Sequence, residues 1–293
     1  RKEEVARERK RILSEFMTRS QEPERILMDR IYRTLYCDTP LERAVMDDNK
    51  LLQTVSRDEL FSLYKTYYIP SQLIVVGVGN IDEEKVKNIV MRYFPQTEKT
   101  GVPSLEMPSE ASQPPSGKII ISEGHKKDEV HLMVGFKTVP RTHPDFYPLR
   151  VLSMIIGGSI FSRLWKAASA RSGLVYNIDA YFDIVPSSWV SILKADCTAY
   201  HGVLRIYSIF STQNICRIEK IIEEELKKLT HHLVSGEELA YAKDQIIGNH
   251  ILGTAGTSRY MHVLLAAEIN NSIDEFHIFE EIIRSVTAED VKR

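Results

Sequence analysis

The feature that most limits how this chain can fold is that two of its stretches recur in order. Glu4-Val5-Ala6-Arg7-Glu8-Arg9-Lys10-Arg11-Ile12-Leu13-Ser14-Glu15-Phe16 lies without gaps on Glu238-Leu239-Ala240-Tyr241-Ala242-Lys243-Asp244-Gln245-Ile246-Ile247-Gly248-Asn249-His250, an offset of 234 residues. Val55-Ser56-Arg57-Asp58-Glu59-Leu60 lies on Val286-Thr287-Ala288-Glu289-Asp290-Val291, an offset of 231. Amphipathic helices resemble one another, so a single match carries little. Two matches in the same order at nearly the same offset indicate an internal duplication, and a duplication decides the fold before local patterns do. The second repeat starts near Gly117, and by analogy about 120 residues of the first should precede residue 1.

Local patterns fill in the halves. Residues 4–19 and 22–36 read as amphipathic helices broken near Glu22-Pro23. Ser56-Arg57-Asp58-Glu59 has the form of a capping box for a helix to about Tyr68. Residues 73–79 are apolar and valine-rich, the pattern of a strand. Asp82 caps a helix ending near Phe94-Pro95. Residues 100–116 are rich in Pro, Ser and Glu and read as a linker. Strands at 118–122 and 129–136 follow, then helices at 143–156 and 159–171. Strand-rich stretches at 174–185, 188–198 and 203–210 precede long helices at 214–232 and 236–252. The expectation is an α+β fold of two homologous repeats, each a mainly antiparallel sheet covered by helices on one face. Residues 1–99 would be the end of the first repeat, 100–116 the linker, and 117–293 a second repeat truncated at its C-terminus. Both ends read as cut: residue 1 is not Met, and Thr287 starts a helix just before the last residue. A frayed natural terminus is the alternative.

Composition excludes several functions. A net charge of −2 over 293 residues offers no basic surface for nucleic acid. No apolar run approaches the roughly 20 residues of a membrane helix. Three scattered cysteines suit neither a disulfide framework nor a cysteine zinc site, which makes a reducing, cytoplasmic setting the default. An upstream targeting segment would not show in this stretch.

The repeat comparison singles out two acids. Glu8 and Glu15 are two helical turns apart and share one helix face. Their counterparts in the second half are Ala242 and Asn249. A carboxylate can ligate zinc, and a second can orient its neighbours. The same acids can equally be a solvated face paired with Arg7, Arg9 and Arg11, as most helical Glu residues are. His125 and His131 straddle a strand start but have no third ligand near in sequence, and read as surface or internally satisfied histidines. His231-His232 falls at a helix C-terminus, where imidazolium suits the dipole. Gly77-x-Gly79 follows an apolar run but lacks the third glycine of a dinucleotide loop.

Glu8-Arg9-Lys10-Arg11-Ile12-Leu13-Ser14-Glu15 resembles the segment that supplies the third zinc ligand in the pitrilysin, mitochondrial processing peptidase and insulin-degrading enzyme family of metallopeptidases. Thr39-Pro40-Leu41, Val55 to Leu60, Tyr67-Tyr68, Val76-Gly77-Val78-Gly79-Asn80, Gly157-Gly158, Ser162-Arg163-Leu164 and Gly173-Leu174-Val175-Tyr176 follow in the family's order. No single piece is specific; the ordered set is, and it covers nearly the whole chain. The resemblance implies zinc as cofactor of the complete protein, Glu15 as its carboxylate ligand and Glu8 as supporting acid. In the family, an inverted H-x-x-E-H motif lies roughly 75 residues upstream of that ligand. No H-x-x-E-H occurs among these residues. The resemblance further implies a metalloendopeptidase that takes peptide or unfolded polypeptide, often by adding it to a sheet edge, and that works as a homodimer or paired subunit. Tyr176 would be the hydroxyl that meets the peptide carbonyl; from its strand alone it could as well be a packed core tyrosine. The family places an Arg seven residues before that Tyr, where Ser169 stands here, with Arg163 and Arg171 nearby but out of register. A non-catalytic partner subunit of the same fold is the alternative that Ser169 favours. Residues 186–200 exceed the family's usual connection, and nothing in the sequence explains why.

Overall fold

The computed structural model describes residues 2–19, 21–37, 39, 42, 49–70, 73–95, 120–126, 128–170, 173–183 and 201–293. Five helices come first: α1 (Lys2–Arg19), α2 (Pro23–Leu35), α3 (Asn49–Thr54), α4 (Arg57–Tyr67) and α5 (Glu83–Tyr93). Then follow β1 (Ile120–Lys126), β2 (Glu129–Pro140), α6 (Phe146–Gly157), the short α7 (Arg163–Trp165) running into a π-helical turn (Lys166–Ala170), β3 (Val175–Asp183) and β4 (His201–Ser211). The chain ends in α8 (Ile215–His231), α9 (Gly236–Thr254), α10 (Thr257–Ile269), α11 (Ile273–His277), α12 (Phe279–Ser285) and α13 (Ala288–Lys292). The four described strands form one antiparallel sheet in the order β1-β2-β4-β3.

Side-chain alternation splits this sheet into two buried faces. Leu132 and Val134 of β2, with Leu204, Ile206 and Phe210 of β4, point into a large core shared with α6, α8, α9 and α12. Met133, Val203 and Tyr207 point the other way, onto Leu27, Ile31, Tyr32, Leu35 and Tyr36 at and just after α2. The expected single helical face is therefore only half of the arrangement, because β2 and β4 are apolar on both sides and both sides must be covered. Polar links pin α2 down: the Tyr36 hydroxyl donates to the His201 carbonyl, and Arg205 bonds Asp183 at 2.6 Å and Glu24 at 3.4 Å.

Helix starts follow the sequence closely because they are made by neighbours. Ser56 accepts from the Glu59 amide while Glu59 accepts from the Ser56 amide. Ser235 with Glu238 and Thr287 with Asp290 close the same reciprocal box. Asp82 caps α5. Both stretches of the sequence match are thus helical, α1 against α9, and capped starts at Ser56 against Thr287.

The valine-rich run at 73–79 is a correction. Residues 73–78 pair with no described strand; strand propensity has no effect without a neighbouring strand to bond. The expected helix at 159–171 is likewise broken into α7 and its π turn. The linker at 100–116 and the stretch at 188–198 lie outside the described residues.

Candidate functional site

Glu8 and Glu15 do face the same way. Arg11, between them on α1, reaches both: Nε donates to Glu8 at 2.7 Å and Nη1 to Glu15 at 2.5 Å. The two acids raise the guanidinium pKa of Arg11, the Glu8 hydrogen bond most of all. All three side chains are open to solvent, so these pairs contribute little to stability. Neither Glu8 nor Glu15 is bonded to a buried group among the described residues, an arrangement compatible with one carboxylate ligand and its support. They do not make a site alone, because three protein ligands are the norm for catalytic zinc. Among the described residues no group of three or more His, Cys, Asp and Glu is placed to hold a metal.

Ala242, which the sequence match sets against Glu8, is buried at 1% exposure in the core that α9 shares with α6. Asn249, the counterpart of Glu15, lines a cleft between these helices. Glu8 and Glu15 are open among the described residues, whereas α6 packs on α9 at Ala242.

Tyr176 is not a packed tyrosine. It sits one residue into β3, an outer strand of the described sheet, and is 84% exposed. Val175 pairs with Phe210 and Asn177 with Ile209, so Tyr176 is the extra residue of a β-bulge. Bulges turn a side chain out of the regular alternation and recur beside active sites. The turn before β3 fixes the aim. Gly173 adopts φ +58°, and the Gly173 and Leu174 amides reach back to the carbonyls of Ser169 and Ala168 at 2.8 and 2.9 Å. The first is the 5→1 bond of an αL helix end, which calls for glycine at the left-handed position, and the second is one residue wider, as the π turn before it is.

Arg163 does not supply the missing arginine. Its fork meets Glu238 with Nε to Oε1 at 2.8 Å and Nη2 to Oε2 at 2.9 Å. Ser162 caps α7 through the Trp165 amide and Leu164 is fully buried in the core, so all three residues of that motif have structural partners. Arg171 lies outside the described residues. The Arg163 hydrogen bonds pull the Glu238 carboxyl down to about 2 from 4.5. A depressed carboxyl pKa adds stability that is complete above 4.5 and is lost as pH falls toward 2. Glu238→Gln is expected to lower stability at pH 7 by about 1–2 kcal/mol, after discounting for solvent screening. The gap from wild type should close between pH 4.5 and 2 in urea melts; a gap that persists at pH 2 contradicts the assignment.

His131 is internally satisfied: Nδ1 lies 2.7 Å from the Tyr207 hydroxyl and Nε2 2.9 Å from Glu129. The side chain of His125 lies outside what is described. Arg150 stands in an otherwise apolar α6, in the cleft with Asn249. A lone charge inside the run Phe146-Tyr147-Pro148-Leu149-Arg150-Val151-Leu152 was the available signal.

A family model described as the peptidase M16 inactive domain matches residues 54–246. An uncharacterised zinc protease of Streptomyces coelicolor is 26% identical over 302 aligned positions, covering 99% of this chain and 61% of that protein. A protease from Helicobacter pylori superposes with a TM-score of 0.82 at 17% identity, covering 100% of this chain and 68% of its own. The peptidase M16 inactive domain from Pseudomonas fluorescens gives 0.74 at 19% identity, covering 99% and 66%. The chain spans 57 to 61% of the length of three curated relatives. Among the described residues no helix is long and apolar enough to cross a membrane.

Proposed function

The chain belongs to the M16 peptidase family, the pitrilysin-type zinc proteases, without their H-x-x-E-H segment, and from that premise we propose that it is the substrate-holding part of a zinc metalloendopeptidase. Residues 1–99 are the end of the zinc-side repeat, 100–116 a linker, and 117–293 the second repeat. The observation that carries the reading is the open acidic face of α1. In the second half α6 precedes α9 and packs on the face bearing Ala242 and Asn249. If the halves are repeats, a helix upstream of α1 packs on Glu8 and Glu15 in the same way and brings its own side chains to them. Glu15 is then the zinc ligand and Glu8 holds it in place. Zinc in such a site polarises a peptide carbonyl and lowers the pKa of bound water.

Peptide substrate would lie along the outer strand β3, extending the sheet by main-chain hydrogen bonds. The Tyr176 hydroxyl, carried outward by its bulge, would donate to the carbonyl oxygen of the scissile bond. Its effect would be largest as charge builds on that oxygen. In a longer protein that carries the motif, Tyr176→Phe is expected to cut kcat about 10²-fold to 10³-fold, the cost of one oxyanion donor. Zinc content and melting temperature should not change, because the side chain is almost wholly exposed. Unchanged kcat removes Tyr176 from the mechanism.

A second reading has its own support. Ser169 stands at the family's arginine position, and Arg163 is engaged with Glu238. A non-catalytic partner subunit, paired with a catalytic chain or a second copy, would need neither arginine nor a working Tyr176.

A further inference from the structure

The cleft between α6 and α9 has a volume of about 590 Å³, within the range of small-ligand sites. At its side, Arg141 bonds Glu275 and the Tyr147 hydroxyl, and that hydroxyl donates to Glu275 at 2.5 Å. Arg141 is therefore neutralised. Arg150 is not. It forms no ion pair or hydrogen bond through its side chain among the described residues, and its guanidinium lies 5.1 Å from the centre of the Phe279 ring. Arg150 is open to solvent yet enclosed by protein, as a residue in a concave wall is. The surrounding protein lowers its pKa, with Tyr147 opposing and Arg141 adding to the shift. His250 stacks on Phe279 at 4.2 Å, and burial first, then Arg150, lowers its pKa. Asn249 adds an amide with no hydrogen bond among the described residues. Phe146, Phe276 and Phe279 give the walls their aromatic part, beside aliphatic side chains such as Met154 and Ile246 and the Glu275 already paired with Arg141.

We propose that this cleft, at the second-half position matching Glu15, binds a carboxylate carried on an apolar body, specifically the C-terminal end of a peptide. One uncompensated guanidinium calls for one negative charge, and its planar fork matches a carboxylate with two parallel hydrogen bonds. A phosphate dianion would leave a charge unmatched. Aromatic walls suit an apolar last residue, and Asn249 can donate to the same carboxylate. The choice of a peptide end over another organic acid rests on the peptidase reading. The test below needs neither zinc nor turnover, so its failure leaves that reading standing.

The test is calorimetric titration of the 293-residue chain with N-acetyl-Leu-Phe, its C-terminal amide, 3-phenylpropionate and inorganic phosphate. The free acid peptide should bind saturably, at least about tenfold more tightly than the amide, because a charge-assisted fork is lost. It should also bind more tightly than 3-phenylpropionate or phosphate. Arg150→Gln should weaken the acid peptide about tenfold or more and leave the melting temperature unchanged, since the side chain is open to solvent and makes no ion pair among the described residues. Arg150→Lys, which keeps charge but loses the fork, should recover only part of the affinity. Acid and amide binding alike, or no acid binding, overturns the site. Preference for phosphate or for 3-phenylpropionate overturns the ligand class. Undiminished binding by Arg150→Gln, or a lowered melting temperature shared with Arg150→Lys, makes Arg150 a structural residue and overturns its role.

Discussion

Replacing Glu15 by Gln in a longer protein that carries the upstream motif is expected to remove most bound zinc and nearly all peptide cleavage. A neutral amide is a far poorer zinc ligand than a carboxylate, and a three-ligand site that loses one holds its metal weakly. Glu8→Gln should be milder, about 10-fold to 100-fold in metal affinity, the usual cost of a supporting partner. Neither change should unfold the protein. Both side chains are open to solvent and, among the described residues, bonded only to Arg11, and Gln is a good helix former. Zinc by elemental analysis, read beside the circular dichroism spectrum, separates metal loss from unfolding. Wild-type zinc and wild-type cleavage in Glu15→Gln would turn the acids into surface charge paired with Arg11.

The second large effect is structural. Gly157 ends α6 where the helix touches β3, and a Cβ there would lie 2.4 Å from the Ala180 nitrogen and 2.7 Å from the Ala180 Cβ. The obstacle is strand backbone at the buried Ala180, which cannot step aside as a side-chain tip can. Gly157→Val should therefore cost about 3 kcal/mol or more, at the upper end for overpacked cores. For a unit of this size that is a fall of about 6–12 °C in melting temperature. Gly248→Ala is the matched control. It lies within α9 with nothing near its missing Cβ, so it should stabilise by about 0.5–1 kcal/mol through helix propensity. Scanning calorimetry of the two variants gives opposite signs if the close approach is real, and equal small shifts if it is not.

The sequence was most readable where the determining contact is a few residues away. The boxes at Ser56, Ser235 and Thr287 and the cap at Asp82 join residues three apart, so pattern alone locates them. Glu8 and Glu15 were placed on one face by helical periodicity, and Arg11 joins them. Contacts across long separations were not readable. Nothing in Leu27, Ile31 and Tyr36 says that their partners are Met133, Val203 and Tyr207. The valine-rich run after Pro70 has the composition of a strand but no described neighbour to pair with. Tyr176 was singled out only through a family resemblance; its exposure depends on a bulge against β4, which no local pattern reports. Arg150 was missed because a charged residue in an apolar helix looks like a single exception until the cleft around it is seen.

The account rests on Glu15 being a ligand contributed by this chain to a site completed by residues upstream. X-ray absorption at the zinc edge of the longer protein, wild type beside Glu15→Gln, tests this most directly. The expected first shell is two imidazole nitrogens and a carboxylate oxygen at about 2.0–2.2 Å with a water, and no sulfur. In Glu15→Gln the zinc signal should largely vanish, or the carboxylate contribution should be missing from what remains. An unchanged shell in the variant, or a sulfur-ligated zinc at about 2.3 Å in the wild type, would contradict the account.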